Sequence, residues 1–192
     1  MLRSKQVIVF LMFLRDWYLK FVGLPDDGIF RELPLDLPNR VFTSPMPFGA
    51  YDKRNCLLKL YEQAGVKHVF MFVTDEEIKK KTRKNLKEIY TQHGLDYSQC
   101  VIKDFEAPDL NQMVHFVQEA VVVAQNKQIA LHCHAGVGRT AVAATCLVIK
   151  ARRCTVPEAI AHVKAHMCVN MTSEQKRVIQ NFADFLINKV EG

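Results

Sequence analysis

The sequence lacks the marks of a membrane-spanning, secreted or fibrous protein. An unbroken apolar run from Val7 to Leu14 covers eight residues, against about 20 for a bilayer-spanning helix. No small-x-small site follows it, as a cleaved signal would require. Eight glycines and seven prolines are scattered rather than periodic, which excludes collagen, repeat arrays and low-complexity disorder. No Cys-x-x-Cys pair is present, and the six cysteines (Cys56, Cys100, Cys133, Cys146, Cys154, Cys168) are spread along the chain. That spread argues against a disulfide framework and for reduced thiols in a cytoplasmic setting. Cys154, His162, His166 and Cys168 are a conceivable zinc set, but ordinary helix-surface and core roles are the simpler reading, and no metal is called.

What is present suits one globular domain: 192 residues, 49% hydrophobic, enough to bury one sizeable core. The net charge of +6 favours acidic partners without choosing among phosphoprotein, lipid and nucleic acid. Part of the excess lies in Lys79-Lys80-Lys81-Thr82-Arg83-Lys84, read as a solvated helix face, so nucleic-acid binding is not called. Near the N-terminus, Arg15, Asp16 and Lys20 interrupt the apolar pattern. Residues 1–37 are therefore read as an apolar segment and irregular lead-in packed on the domain, with weak membrane-surface contact as a second reading. Residues 38–192 are assigned to the folded domain.

Within that domain, Arg40 to Thr43 reads as a first strand, Asp52 to Gln63 as a helix stopped by Gly65, and Val66 to Val73 as a buried strand. Thr74 with Glu77 suggests a capping box opening a long helix to Gly94, and Tyr97 to Ile102 a strand. Asp109 with Gln112 caps the next helix, Gln128 to His132 is a short apolar strand, and Gly138 to Arg153, Val156 to His166 and Thr172 to Lys189 are closing helices. Strands alternating with helices predict an α/β fold with a mostly parallel central sheet flanked by helices. Ligands in such folds bind beyond the carboxyl ends of the strands, which directs attention to the loop after His132.

That loop is His132-Cys133-His134-Ala135-Gly136-Val137-Gly138-Arg139-Thr140. Its small residues let successive N–H groups curl into an anion nest, and the following helix adds its positive end. A thiol in that field is expected to lose its proton, making Cys133 the candidate nucleophile. Arg139 offers a planar fork to two phosphate oxygens, and Thr140 a hydroxyl for the departing sulfur. His134, Ala135, Gly136, Val137, Gly138 and Arg139 would line the bound phosphate.

His-Cys, five residues, Arg-Thr resembles the signature of the cysteine-dependent tyrosine and dual-specificity phosphatases. Lys67 to Ile78, Asp104-x-x-x-Pro108-Asp109 and Gln175 before Asn181-Phe182 are similar to the branch associated with cyclin-dependent kinases. The resemblance implies a protein tyrosine phosphatase-like fold, a cysteinyl-phosphate intermediate, no cofactor and a phosphorylated protein as substrate. It also implies Asp104 as general acid. Gln175 would position the water of the second step, unless it is only the capping partner of Thr172. The tyrosine-recognition motif Lys-Asn-Arg-Tyr of the classical branch is absent, so phosphoserine, phosphothreonine and phosphotyrosine are all expected substrates. Phosphoinositide phosphatase, RNA 5′-phosphatase and phosphate-binding pseudophosphatase are the alternatives. Lipid-directed relatives often carry lysines at the variable loop positions, where this chain has His134, Ala135, Val137 and Gly138. A pseudophosphatase would be expected to have lost Cys133, Arg139 or the acid.

Overall fold

The computed structural model describes residues 26–190, and the expectations for the N-terminal apolar segment fall outside them. Five strands form one sheet in the order β1-β2-β5-β3-β4: β1 Arg31–Leu33, β2 Val41–Ser44, β3 Val66–Met71, β4 Asp96–Gln99 and β5 Gln128–His132. Only β1 runs antiparallel to its neighbour. The fold is the expected α/β arrangement with a mostly parallel sheet. Strand β5 lies in the middle because Ile129, Ala130 and Leu131 carry nothing that needs water, and all three are fully buried.

The helices are α1 Asp26–Ile29, α2 Leu57–Gln63, α3 Asp75–Thr82, α4 Leu86–Gln92, α5 Leu110–Val123, α6 Arg139–Arg152, α7 Val156–His166 and α8 Ser173–Val190. Helix α6 follows β5 directly and is buried continuously from Arg139 to Ile149. Its alanines, Ala141, Ala143 and Ala144, let it lie close to β5 and β2 while α5, α7 and α8 pack around it. Phe72 and Phe70 meet Phe116 of α5 edge-on, with ring centroids 5.0 and 5.2 Å apart. Among the described residues no helix is long and apolar enough to cross a membrane.

Four local expectations are corrected. The lead-in from Pro25 to Pro38 is not wholly irregular: it supplies α1 and β1, and buries Ile29 and Leu33 in the core. The helix expected from Thr74 to Gly94 is two helices, broken where Arg83 turns left-handed (φ 56°) and Asn85 recaps the chain by accepting from the Glu88 N–H. Helix α2 starts at Leu57 rather than Asp52, because the Asp52 carboxylate accepts the Phe48 and Cys56 N–H groups at 2.9 and 2.8 Å and ties the preceding loop instead. Strand β4 ends at Gln99, although the Cys100 N–H still bonds to the Met71 carbonyl.

Candidate active site

The loop expected to hold phosphate leaves β5 at the carboxyl edge of the sheet, as the strand pattern required. Its carbonyls are pinned outward: that of His134 accepts from the Met46 N–H at 3.1 Å and that of Val137 from the Asn170 N–H at 2.8 Å. With those carbonyls engaged outside the loop, the Gly136 N–H turns inward to the Cys133 sulfur at 3.3 Å, as the expected anion nest requires. Gly136 cannot be replaced without moving the backbone. Its φ is +73°, and a Cβ there would lie 2.5 Å from the Ser44 carbonyl oxygen.

Cys133 is buried with its sulfur at the base of this nest. The preceding His132 is fully buried, and its pKa is lowered to about 4, chiefly by burial. Its Nδ1 lies 3.3 Å from the Cys133 carbonyl, which can only accept, so that nitrogen carries the proton. Nε2 is therefore the acceptor of the Tyr90 hydroxyl at 2.9 Å. His132 fixes the backbone beside the sulfur from a neutral ring.

Arg139 opens α6 with its side chain 3% exposed, and its donors are heavily engaged. Nη1 and Nη2 grip the two Glu77 oxygens at 2.7 and 2.8 Å. Nη1 also donates to the Ile102 carbonyl at 2.8 Å, and Nη2 to Asp104 Oδ1 at 2.9 Å. Burial works against the guanidinium charge, yet Glu77, with Cys133 and Asp104, outweighs it and raises the pKa above its ordinary value. The cation is permanent.

Glu77 is the residue that sequence reasoning missed. Thr74 accepts from its N–H, as the capping box required, but the carboxylate crosses to Arg139 instead of returning to the cap. The available signal was Arg139 itself, because a guanidinium buried at a strand-helix junction needs a carboxylate partner.

Asp104 lies in the loop after Ile102 with its side chain 39% exposed. Phe105, next to it, is left-handed (φ 66°) and about half exposed. The loop is held at three points: Ile102 and Asp104 by Arg139, and the Glu106 carbonyl by Gln175 Nε2 at 3.0 Å. The remaining Gln175 oxygen accepts from the Thr172 N–H at 3.1 Å while Thr172 Oγ1 accepts from the Gln175 N–H. Gln175 is thus both a capping residue and a tether for the Asp104 loop. Asp109 and Gln112 form the expected reciprocal cap of α5.

His134, expected to line the bound phosphate, lines the cavity and is buried, with its ring edge-on to Tyr51 at 5.2 Å. Burial and nearby Lys81 lower its pKa, against the pull of Asp104 and Glu77, and its Nε2 has no hydrogen-bond partner. Gly136 backs onto the Ser44 carbonyl while its N–H turns to the Cys133 sulfur. The Thr140 hydroxyl is also buried without a partner. A small cavity of about 40 Å³ opens over the sulfur, walled by Asp104, Phe105, Ala135, Val137, Arg139 and Gln175, with Asn170 and Thr172 at its side.

Of the conceivable zinc set, His162 has both ring nitrogens engaged, by Arg152 and the Pro34 carbonyl, while His166 Nδ1 bonds the His162 carbonyl. Glu77, Asp104 and His134 bring ligand atoms within 4.8 Å of one another, but Arg139 donates to both carboxylates, and a cation would have to displace it.

The family model of cyclin-dependent kinase inhibitor 3 (CDKN3) matches residues 52–161, more than half of the chain and all of the loop just described. The chain belongs to that family. It is 32% identical to the pig cyclin-dependent kinase inhibitor 3 over 89 residues, 46% of this chain and 42% of the relative. It is 31% identical to the cattle protein tyrosine phosphatase domain-containing protein 1 over 103 residues, 53% of this chain and 13% of the relative. The chain therefore spans less than half the length of these curated relatives. Among solved structures, kinase associated phosphatase (KAP), carrying serine for its catalytic site cysteine, aligns with a TM-score of 0.74 at 20% identity. That alignment covers 85% of this chain and 98% of the other. PTPMT1 in complex with PI(5)P aligns with a TM-score of 0.67 at 18% identity, covering 78% and 94%. The CDKN3-family chain described here therefore has the fold of the protein tyrosine and dual-specificity phosphatases.

Proposed function

We propose that this protein is a cysteine-dependent phosphatase that hydrolyses phosphotyrosine, phosphoserine and phosphothreonine monoesters of proteins through a cysteinyl-phosphate intermediate. The observation that carries the reading is the juxtaposition of the Cys133 sulfur, the inward N–H nest and the buried Arg139 guanidinium within one small cavity. Glu77 holds the Nη1/Nη2 edge of Arg139, so the fork made by Nε and the outer proton of Nη2 is the edge for phosphate. Asp104 accepts that outer proton, and the arriving phosphate replaces it there.

In the first step the Cys133 thiolate attacks phosphorus, the S–P bond forms, and the P–O bond to the substrate breaks while Asp104 gives its proton to the leaving oxygen. In the second, water attacks phosphorus, Asp104 takes back a proton, and the S–P bond breaks with its electron pair returning to sulfur. Thr140, whose hydroxyl has no other partner, donates to that sulfur as it leaves. Gln175 positions the acid through the Glu106 carbonyl. The phosphoprotein preference follows from a signature loop without lysine and is consistent with relatives named for kinases; PTPMT1, whose complex holds a phosphoinositide, makes lipid the arm to test against.

The test is a turnover panel of phosphotyrosine, phosphothreonine, phosphoinositide and 5′-triphosphorylated RNA substrates, run beside Cys133→Ser. Turnover of phosphopeptides that vanishes in Cys133→Ser is expected. Turnover of the lipid or RNA alone would replace the substrate assignment, and residual hydrolysis by Cys133→Ser would remove the covalent mechanism.

A further inference from the structure

The basic run that the sequence presented as a solvated helix face does not lie on a smooth surface. Helix α3 ends in the left-handed turn at Arg83, and α4 begins three residues later, so the two helices enclose a cleft of about 520 Å³. Lys79, Arg83, Lys84 and Lys87 line it, and the buried side chains of Ile78 and Leu86 form its apolar floor.

The charge in the cleft is only partly neutralised from within the protein. Its carboxylate, Asp75, is held by Lys87 at 2.8 Å and by Gln99 Nε2 at 2.9 Å, and these bonds lower its pKa. Among the described residues, Lys79, Lys80, Lys81, Arg83 and Lys84 pair with no carboxylate. Packing cations together without counter-charge costs self-repulsion, and Arg83 adds the strain of a left-handed non-glycine residue. Lys84 is also placed, with its ammonium 4.9 Å from the centre of the Phe48 ring.

The cleft and the candidate active site are linked by α3. Glu77 on that helix grips Arg139, its neighbour Ile78 floors the cleft, and Lys81 is near enough to act on His134 beside Cys133. A ligand bound through its phosphate at Cys133 that extends along α3 meets an excess of cations, with Asp75 the one carboxylate lining the cleft. Among the described residues, the exposed large apolar side chains, Tyr97, Val101, Phe105, Val122 and Ile187, all lie outside the basic run. A membrane would need apolar groups to insert beside the cations, whereas a concave cleft with an apolar floor admits side chains.

We infer that the cleft between α3 and α4 is a docking site for an acidic segment of the phosphoprotein substrate, flanking the phosphorylated residue. This deepens the phosphatase reading and rests on it for the word substrate, but the binding itself can be measured without turnover. The variant is Lys79→Glu/Lys84→Glu, neither residue belonging to the catalytic machinery. The substrates are one phosphopeptide core flanked by Asp and Glu, the same core flanked by Ser and Gly, and a small aryl phosphate.

Reversing two exposed charges is expected to lower kcat/KM on the acidic phosphopeptide about tenfold, mostly through KM, with the effect fading at high salt. The neutral peptide and the aryl phosphate should stay within about twofold, since neither reaches the cleft. Equal losses on all substrates, or none on any, would overturn the inference. So would loss of sedimentation with phosphatidylserine vesicles with peptide selectivity intact, which would reassign the cleft to membrane. Fluorescence anisotropy with the unphosphorylated acidic peptide separates the two readings. Binding that the variant loses supports the cleft even if no substrate is turned over, and absence of binding overturns it even if catalysis is found.

Discussion

Replacing Glu77 by Gln tests the framework of the site more sharply than replacing a residue that touches phosphate. The carboxylate meets Arg139 through two bonds, at 2.7 and 2.8 Å, with the side chains 8% and 3% exposed. Removing one member of a buried pair usually costs about 3–5 kcal/mol, because the other is left as an uncompensated charge. Glutamine keeps an acceptor for one of the two Nη atoms, and Asp104 and the Ile102 carbonyl remain, so the low end, about 3 kcal/mol, applies. For a chain of this size that is a fall in Tm of roughly 6–12 °C. Arg139 would also lose the tether that sets its orientation, and a displacement near 1 Å can cost about 10²-fold in rate. The assay is thermal unfolding together with kcat/KM on a small aryl phosphate, with the adjacent exposed Glu76→Gln as control. A Glu77→Gln protein that melts with the control and turns over at its rate would show that the pair does not hold the guanidinium.

Other outcomes follow from the same coordinates. Gly136→Ala should cost at least about 2 kcal/mol and displace the loop, because its Cβ would meet Ser44 backbone at 2.5 Å, whereas at Gly138, where the nearest atom is at 3.3 Å, the change should cost under about 1 kcal/mol; denaturant melts of both variants check this. Asp104→Asn should reduce turnover of a phosphopeptide by about 10²–10⁴ with smaller loss on an activated aryl phosphate, and Asp109→Ala should instead lower stability by about 1 kcal/mol through the α5 cap, so the opposite pattern would exchange their roles. His132 has a pKa near 4 in the fold and binds its proton near 6.5 once unfolded. Its contribution is therefore complete above pH 6.5 and lost as pH falls through 4, by at most about 3 kcal/mol. Stability measured between pH 7 and 4 should fall less steeply in His132→Gln than in the parent, and equal slopes would contradict the buried neutral ring.

Much of the site was legible because its chemistry is local. The nest, the sulfur and the guanidinium lie in nine consecutive residues, and the small side chains of the loop announce the backbone conformation they permit. The Asp109–Gln112 cap was readable for the same reason, since both partners lie within one turn. What stayed hidden depended on distance or on conformations with no sequence signature. Glu77 and Arg139 are 62 residues apart, and the helical pattern around Glu77 offered a sufficient local role. The break between α3 and α4 falls at Arg83, a left-handed residue that is neither Gly nor Asn. Strand β1 is three residues long and gains its identity only by pairing with β2. The burial of His134 is set by Tyr51, which comes from a loop far away in the chain.

The central claim is that phosphate passes through the Cys133 sulfur. The most direct measurement is rapid quench of the protein mixed with a phosphotyrosyl peptide, followed by digestion and mass spectrometry. A phosphoryl group on Cys133, formed within one turnover, decaying at the turnover rate and absent from Cys133→Ser, is the predicted result. Continued hydrolysis without phosphate on Cys133, or phosphate trapped on another residue, would contradict it.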